Sequence, residues 1–268
     1  MLCYTCAQSL KILLTGQKIM DHVIAEDSHW WFASRTRALN AAMRPILPQT
    51  PNFRLLDIGC GAGNMIHHLS KYGQVKGLEI DPRPVKKARA RGYDVDQFDA
   101  TQPMPFDEGT FDAVTALDVI EHNQDDIAIL QDSHRILKPG GHIIITVPAF
   151  MWLWTHNDDL NAHVRRYTAG QLHQKLTQTG YTVRRISYNN FFIFPLAASL
   201  LLLRRIRGAK PQLASHHMDE EEYQVEMEPT SPPVNTVLTL VGKIEATLIR
   251  FVNLPVGTSL IAIAQKPE

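Results

Sequence analysis

Leu55 to Asn64 reads Leu-Leu-Asp-Ile-Gly-Cys-Gly-Ala-Gly-Asn, and no other stretch of the chain restricts its fold as tightly. Arg54 to Ile58 is a short apolar run ending at a turn signal. Beyond Gly63 the apolar residues Met65, Ile66, Leu69 and Tyr72 recur at helical spacing. The pattern predicts a strand, a tight glycine turn and a helix. Gly59, Gly61 and Gly63, with Cys60 among them, let the backbone enter φ > 0 and approach a ligand without Cβ atoms in the way. The unpaired N–H groups of the new helix face the same spot, which suits a cofactor that carries a nucleoside.

Glycine turns also hold dinucleotides, but that fingerprint, G-x-G-x-x-G, would need glycine at position 64, where Asn64 stands. The spacing here is G-x-G-x-G, and an acid, Asp57, lies two residues before the first glycine. Val75 to Ile80 reads as a second strand. Glu79 ends it, about 20 residues beyond the start of the turn, where ribose hydroxyls are held. One carboxylate can accept from both the 2′- and 3′-hydroxyls.

Around this unit, helices and strands alternate. Ser28 is placed to cap a helix with Trp31, Arg35, Leu39 and Met43 on one face, and Pro45, Pro48 and Pro51 end it. Asp81-Pro82 starts a helix that Gly92 stops, and Tyr93 to Val95, Phe111 to Leu117 and His142 to Val147 read as the next three strands. Leu130 to Leu137 completes a helix that Lys138-Pro-Gly-Gly141 ends. Thr168 caps another helix reaching Gly180, and Tyr181 to Tyr188 and Gly257 to Ala264 read as the sixth and seventh strands.

Asp57 and the three glycines resemble the first motif of the class I S-adenosylmethionine-dependent methyltransferases. The resemblance continues in order through Glu79, Asp99-Ala100 and Lys138 to Gly141, and covers Arg54 to Pro148. It implies an α/β fold with a Rossmann-like, doubly wound, seven-stranded sheet whose last strand is antiparallel. The cofactor it implies is S-adenosylmethionine, held by Asp57, Gly59, Cys60, Gly61, Gly63, Glu79 and Ile80, with Asp99 and Ala100 at the adenine and Asp118 near the transferred methyl. Arg35 is the candidate for the methionine carboxylate, which a guanidinium matches in two-pronged geometry. Asp118, Glu121 and His122 also resemble residues that hold magnesium in the O-methyltransferases of quinone biosynthesis. Aspartate stands first here instead of glutamate, and the expectation is a site without metal.

Trp152, Trp154, His156, Asp158, Asp159, His163, Arg165, Arg166 and Tyr167 crowd the segment after the fifth strand. Aromatic, imidazole, carboxylate and guanidinium groups seldom gather in a loop only to solvate it. Trp31, Trp154, His156, Asp158, Arg165, Arg166 and Tyr167 are therefore candidate acceptor contacts. Histidine titrates in the range suited to taking a proton near neutrality, which makes His163 or His122 the candidate base.

Charge is balanced, with 27 basic and 27 acidic residues, so no overall field points to nucleic acid. Cys3, Cys6 and Cys60 are a sparse, odd set that fits a reducing cytoplasm. Residues 1–19 read as an extension, with Met20 a natural start; 20–190 and 254–268 read as the methyltransferase domain. Residues 191–253 interrupt it between the last two strands. Phe191 to Leu203 is apolar but short of the ~20 residues that span a bilayer, and Arg204, Arg205, Arg207 and Lys210 follow. An acidic, proline-containing linker (about 208–233) leads to Val234 to Val252, where Val237, Val241, Ile244, Leu248 and Phe251 recur at helical spacing with Lys243 and Glu245 toward the other side. A helical hairpin is expected, serving as a substrate lid, a homodimer interface or a patch on the inner face of the membrane. The expected activity is methyl transfer to a small-molecule or lipid-like acceptor, with oxygen favoured as the accepting atom. A cofactor-binding membrane scaffold without catalysis and a dinucleotide-dependent oxidoreductase remain open.

Overall fold

The computed structural model describes residues 25–206 and 230–268. The extension 1–19 with Cys3 and Cys6, Met20, the linker as far as residue 229, Arg207, Lys210 and the side chains of Arg204 and Arg205 lie outside the described residues.

Seven strands form one sheet: β1 (Arg54–Ile58), β2 (Gln74–Glu79), β3 (Asp94–Gln97), β4 (Phe111–Leu117), β5 (Leu137–Pro148), β6 (Thr182–Asn189) and β7 (Ser259–Gln265). Their order is β3-β2-β1-β4-β5-β7-β6, and β7 alone runs antiparallel, between β5 and β6. The first five strands are parallel. The chain therefore leaves β1 toward one edge and returns at β4 on its other side, and the crevice at the carboxyl ends of β1 and β4 is the switch point where such sheets take ligands. Leu55, Leu56, Ile58, Ala113, Val114, Ala116, Ile143, Ile144 and Ile145 are buried, as strands covered on both faces require.

Local chemistry explains the helices. α1 (Trp30–Met43) is capped by His29, whose Nδ1 accepts from Trp31 N at 3.3 Å; the predicted cap, Ser28, falls instead in a 3-10 turn over Ala25–Ser28. α2 (Asn64–Leu69) leaves the glycine turn. Asp81 caps α3 (Pro82–Ala90) by accepting from Arg83 N at 2.8 Å. Asp125 caps α4 (Asp126–Ile136). The crowded loop holds a short helix, α5 (His156–Leu160), and Thr168 and Gln171 form a capping box on α6 (Ala169–Gln178). The Lys138 to Gly141 stretch, expected to precede the fifth strand, belongs to it: Leu137 pairs with Phe111, and the register shifts before Ala113 meets His142.

The insertion supplies α7 (Phe194–Ile206) and α8 (Pro232–Ile249). The hairpin expectation needs correction, because α8 packs along α1. Gly242 makes this approach possible: a Cβ there would stand 2.7 Å from Ser34 Cβ. The side of α8 that faces inward is the one that carries Glu245. Val237, Ile244, Leu248 and Phe251 are exposed, and Gly242, Glu245, Ala246 and Ile249 are buried. Glu245 is held inward because its carboxylate accepts the backbone N–H groups of Asn190 and Phe192 at the exit of β6. Arg185 on β6 donates to the carbonyls of Ile249 and Val252, closing the other end of the helix.

Candidate active site

The glycine turn sits at the switch point, with Gly59, Gly61 and Gly63 at φ of 66°, 53° and 83°. A Cβ on Gly59 would lie 2.6 Å from Val119 Cγ2, so the turn has no room for a side chain there. Glu79 braces it: Oε2 accepts from Gly61 N at 2.9 Å and Oε1 from Asp81 N at 3.0 Å. Asp57 lies beneath, fully buried, with Oδ1 accepting from Thr115 Oγ1 at 2.6 Å and Oδ2 without a partner. Burial raises its pKa from 3.8 to about 7, although the Thr115 hydrogen bond and Arg35 oppose the rise. Burial also pushes the Cys60 thiol well up, so Cys60 acts as a small lining group and not as a thiolate.

Above the turn is a cavity of about 560 Å³. Its walls come from α1 (Trp31, Phe32, Arg35), the turn (Asp57, Gly59, Cys60, Gly61), the exit of β4 (Asp118, Glu121, His122) and the segment after β5 (Asp158, His163, Arg166). The Arg35 guanidinium lies over the Trp31 ring at 5.1 Å, and its Nη1 is 2.5 Å from Asp118 Oδ2. Asp118 has φ of 58° and accepts from Thr146 through its other oxygen at 2.9 Å. Arg35 thus reaches the cavity already paired with Asp118.

Two further groups are built around Asp158, which is buried. Arg166 donates to both its oxygens, at 2.7 and 2.8 Å, and His163 Nδ1 donates to Oδ1 at 2.9 Å. These bonds outweigh burial and hold the Asp158 carboxyl well below the ordinary range. An ionised carboxylate can only accept, so His163 carries a proton on Nδ1, and Nε2 is the acceptor of the neutral ring. The His122 ring stands 4.7 Å from that of His163, and burial, followed by His163, lowers its pKa.

Not every sequence candidate reaches the cavity. Gly63, Glu79, Ile80, Asp99 and Ala100 are outside its walls; Asp99 Oδ1 accepts from Thr101 N and Oγ1 in a local turn. Trp154 and His156 are directed to Asp159. Arg165 and Tyr167 are corrected to structural roles. Both bond to buried Asp126, at 3.0 and 2.7 Å, with Lys175 at 2.8 Å, and this knot fixes the segment after β5 against α4. Sequence reasoning missed Asn190 and Thr258, which line the cavity and bond to each other at 3.0 Å. Asn190 has φ of 63°, and the Asn189-Asn190 pair at a strand end was the available signal, since asparagine tolerates that region.

The magnesium implied by the quinone-pathway resemblance can be tested against the side chains. Asp118 is committed to Arg35 and Thr146, so Asp118, Glu121 and His122 do not converge. Glu121, His122 and His163 do, with one ligand atom from each within 4.8 Å of the others. Glu121 is buried with both oxygens unpartnered, and burial, then Asp118, raises its pKa well above the ordinary value. Two imidazoles and one carboxylate do not fit magnesium, which prefers oxygen ligands.

Comparison with known proteins bears on the family and the fold. The ubiquinone biosynthesis O-methyltransferase of Xanthomonas campestris pv. campestris (strain B100) is 30% identical over 149 residues, covering 48% of this chain and 60% of that protein's length. Among solved structures, the complex between the Haloferax volcanii Trm112 methyltransferase activator and its partner chain aligns with TM-score 0.57 at 18% identity, over 91% of this chain and 92% of the other. Phosphoethanolamine N-methyltransferase 2 of Haemonchus contortus, solved with S-adenosyl-L-methionine, aligns with TM-score 0.53 at 22% identity, over 86% and 52%. At these identities the structural likeness speaks for the fold alone. A family model described as a methyltransferase domain matches residues 29–186, more than half of the chain, and the protein belongs to that family, the S-adenosylmethionine-dependent methyltransferases.

Proposed function

We propose that this chain transfers a methyl group from S-adenosylmethionine to an oxygen atom of a small-molecule or lipid-like acceptor. The observation that carries the reading is that one cavity is walled both by the glycine turn with Asp57 and by the His163–Asp158–Arg166 group. The partnerless, buried Oδ2 of Asp57 and the turn that excludes side chains fit the cofactor. When bound, it supplies a methyl group already activated by its sulfonium. Asp57 would hold it, Glu79 would keep the turn beneath it in shape through the Gly61 and Asp81 N–H groups, and Trp31 with Phe32 on α1 would flank it. His163 Nε2 would take the acceptor's hydroxyl proton as the acceptor oxygen forms its bond to the methyl carbon, the methyl–sulfur bond breaking with its electron pair left on a neutral thioether. The ionised Asp158 then stabilises the imidazolium, and Arg166 keeps Asp158 in place. The O-methyltransferase name of the Xanthomonas relative supports oxygen as the accepting atom.

Incubating the purified full chain with methyl-labelled cofactor and with lipid and aqueous cell extracts tests the reading. Label is expected in an extractable hydroxyl compound as a base-stable ether. Label recovered only in protein or nucleic acid refutes the acceptor class.

A further inference from the structure

On the face of α1 and α8 away from the switch point lies a second cavity, of about 650 Å³. Arg37, Arg44, Lys71, Lys243 and Arg250 line it, and no carboxylate does. None of these five cations makes an ion pair among the described residues. Arg37 Nη1 is buried without a hydrogen-bond partner, and Lys71 donates to the side-chain amide oxygen of Asn40 and lies over the Tyr72 ring at 5.2 Å, with no carboxylate. Burial, and then the Arg44 guanidinium, lowers the Lys71 pKa, as expected where positive charge goes uncompensated.

The same helix carries an apolar stripe beside this basic flank. Val237, Leu240, Ile244 and Leu248 recur every three or four residues on the solvent side of α8, and Phe251, 74% exposed in the turn just beyond the helix, continues the row and also lines the cavity. Helical geometry puts Lys243 and Arg250 along one edge of that stripe. Glu245 and Gly242 lock the opposite side against β6 and α1, so α8 cannot roll to bury it. A soluble core would not leave such a row outside. A helix lying in a lipid interface has this arrangement, with apolar side chains in the acyl boundary and cations at the headgroups.

We infer that this face docks on an anionic phospholipid surface, with the five-cation cavity receiving a headgroup phosphate and the α8 stripe entering the acyl boundary. The missing negative charge decides the occupant. A second copy paired through the stripe would bring another set of the same cations and no carboxylate from this cavity. Among the described residues no helix is long and apolar enough to cross a membrane. The inference is independent of the methyl-transfer reading, because its test needs no turnover.

Sedimentation of the full chain with vesicles supplies that test. Binding is expected to vesicles of phosphatidylcholine with phosphatidylglycerol, to be weak with phosphatidylcholine alone, and to fall as salt rises. Lys243→Gln with Arg250→Gln should lower partitioning about 25-fold, at roughly fivefold per cation. Ile244→Ser with Phe251→Ser should abolish it, and both variants should keep S-adenosylhomocysteine binding as proof of folding. Four results overturn the inference. They are a wild-type chain left in the supernatant with anionic vesicles at low salt, equal binding to both vesicle types, charge variants that bind as tightly as wild type, and thermal stabilisation by glycerol phosphate without vesicle binding, which would assign the cavity to a free phosphate ligand.

Discussion

Replacing Asp57 by asparagine tests the charge beneath the glycine turn. The carboxyl is fully buried, and burial raises its pKa from 3.8 to about 7, with Glu79 adding to the rise and Thr115 and Arg35 opposing it. A raised carboxyl pKa means that the folded chain holds the proton more tightly than the unfolded chain. The stability this contributes is complete below pH 3.8 and is lost as pH rises through about 7. At ~1.4 kcal/mol per pH unit, the interval from 3.8 to about 7 corresponds to a loss of about 4 kcal/mol in the unliganded protein. A side-chain amide has no such titration, so the variant should lose less stability over that range. Its added N–H, placed where Oδ2 had no partner, costs a pH-independent ~1–3 kcal/mol. Binding of a cofactor with a cationic amino group favours the ionised carboxylate, so affinity should fall by up to tenfold per pH unit below about 7 in the wild type and stay flat in the variant. Urea denaturation and titration calorimetry on both proteins, across the interval from 3.8 to about 7, measure the two effects. The same pH dependence of stability and affinity in wild type and variant would refute the assignment of this titration to Asp57.

Glu79→Ala removes the acceptor of the Gly61 and Asp81 N–H groups; at ~1.5–3 kcal/mol for a hydrogen bond to a charged group, cofactor affinity should drop tenfold or more, and unchanged calorimetric affinity argues against a role in the turn. His163→Ala should lower turnover by the ~10²–10⁴-fold typical of a lost general base while S-adenosylhomocysteine still binds, and a threefold loss or less would make His163 a packing residue. Gly242→Ala forces a Cβ against Ser34 and should destabilise the chain by ~1–3 kcal/mol, read as a fall in Tm, with Ser34→Gly restoring part of it; equal Tm values would mean that α1 and α8 do not pack as described.

Much of the site was legible because its signals are local. Gly59, Gly61 and Gly63 announce a turn that side chains cannot enter, and an acid at a strand end, Glu79, declares itself by its distance from that turn. Membership of the cavity was less legible. Asp158, His163, Arg165, Arg166 and Tyr167 are alike in sequence, within ten residues of one another, yet only the first two and Arg166 face the cavity. Arg165 and Tyr167 turn instead to Asp126, about 40 positions earlier, and no spacing within the loop encodes that partner.

The sequence by itself determined the parallel half of the sheet, the glycine turn, the helix start at Asp81-Pro82 and the cap at Thr168, because a helix or strand period and a capping side chain act over a few neighbouring residues. Only the tertiary structure decided which way α8 faces, and that Asp118 is paired with Arg35 and Glu121 is left buried and unpartnered. Periodicity marks the apolar side of a helix but not what lies beside it. In α8, Gly242 admits Ser34 and the β6 exit demands an acceptor for two N–H groups, so the side with Glu245 turns inward and the apolar row is left outside.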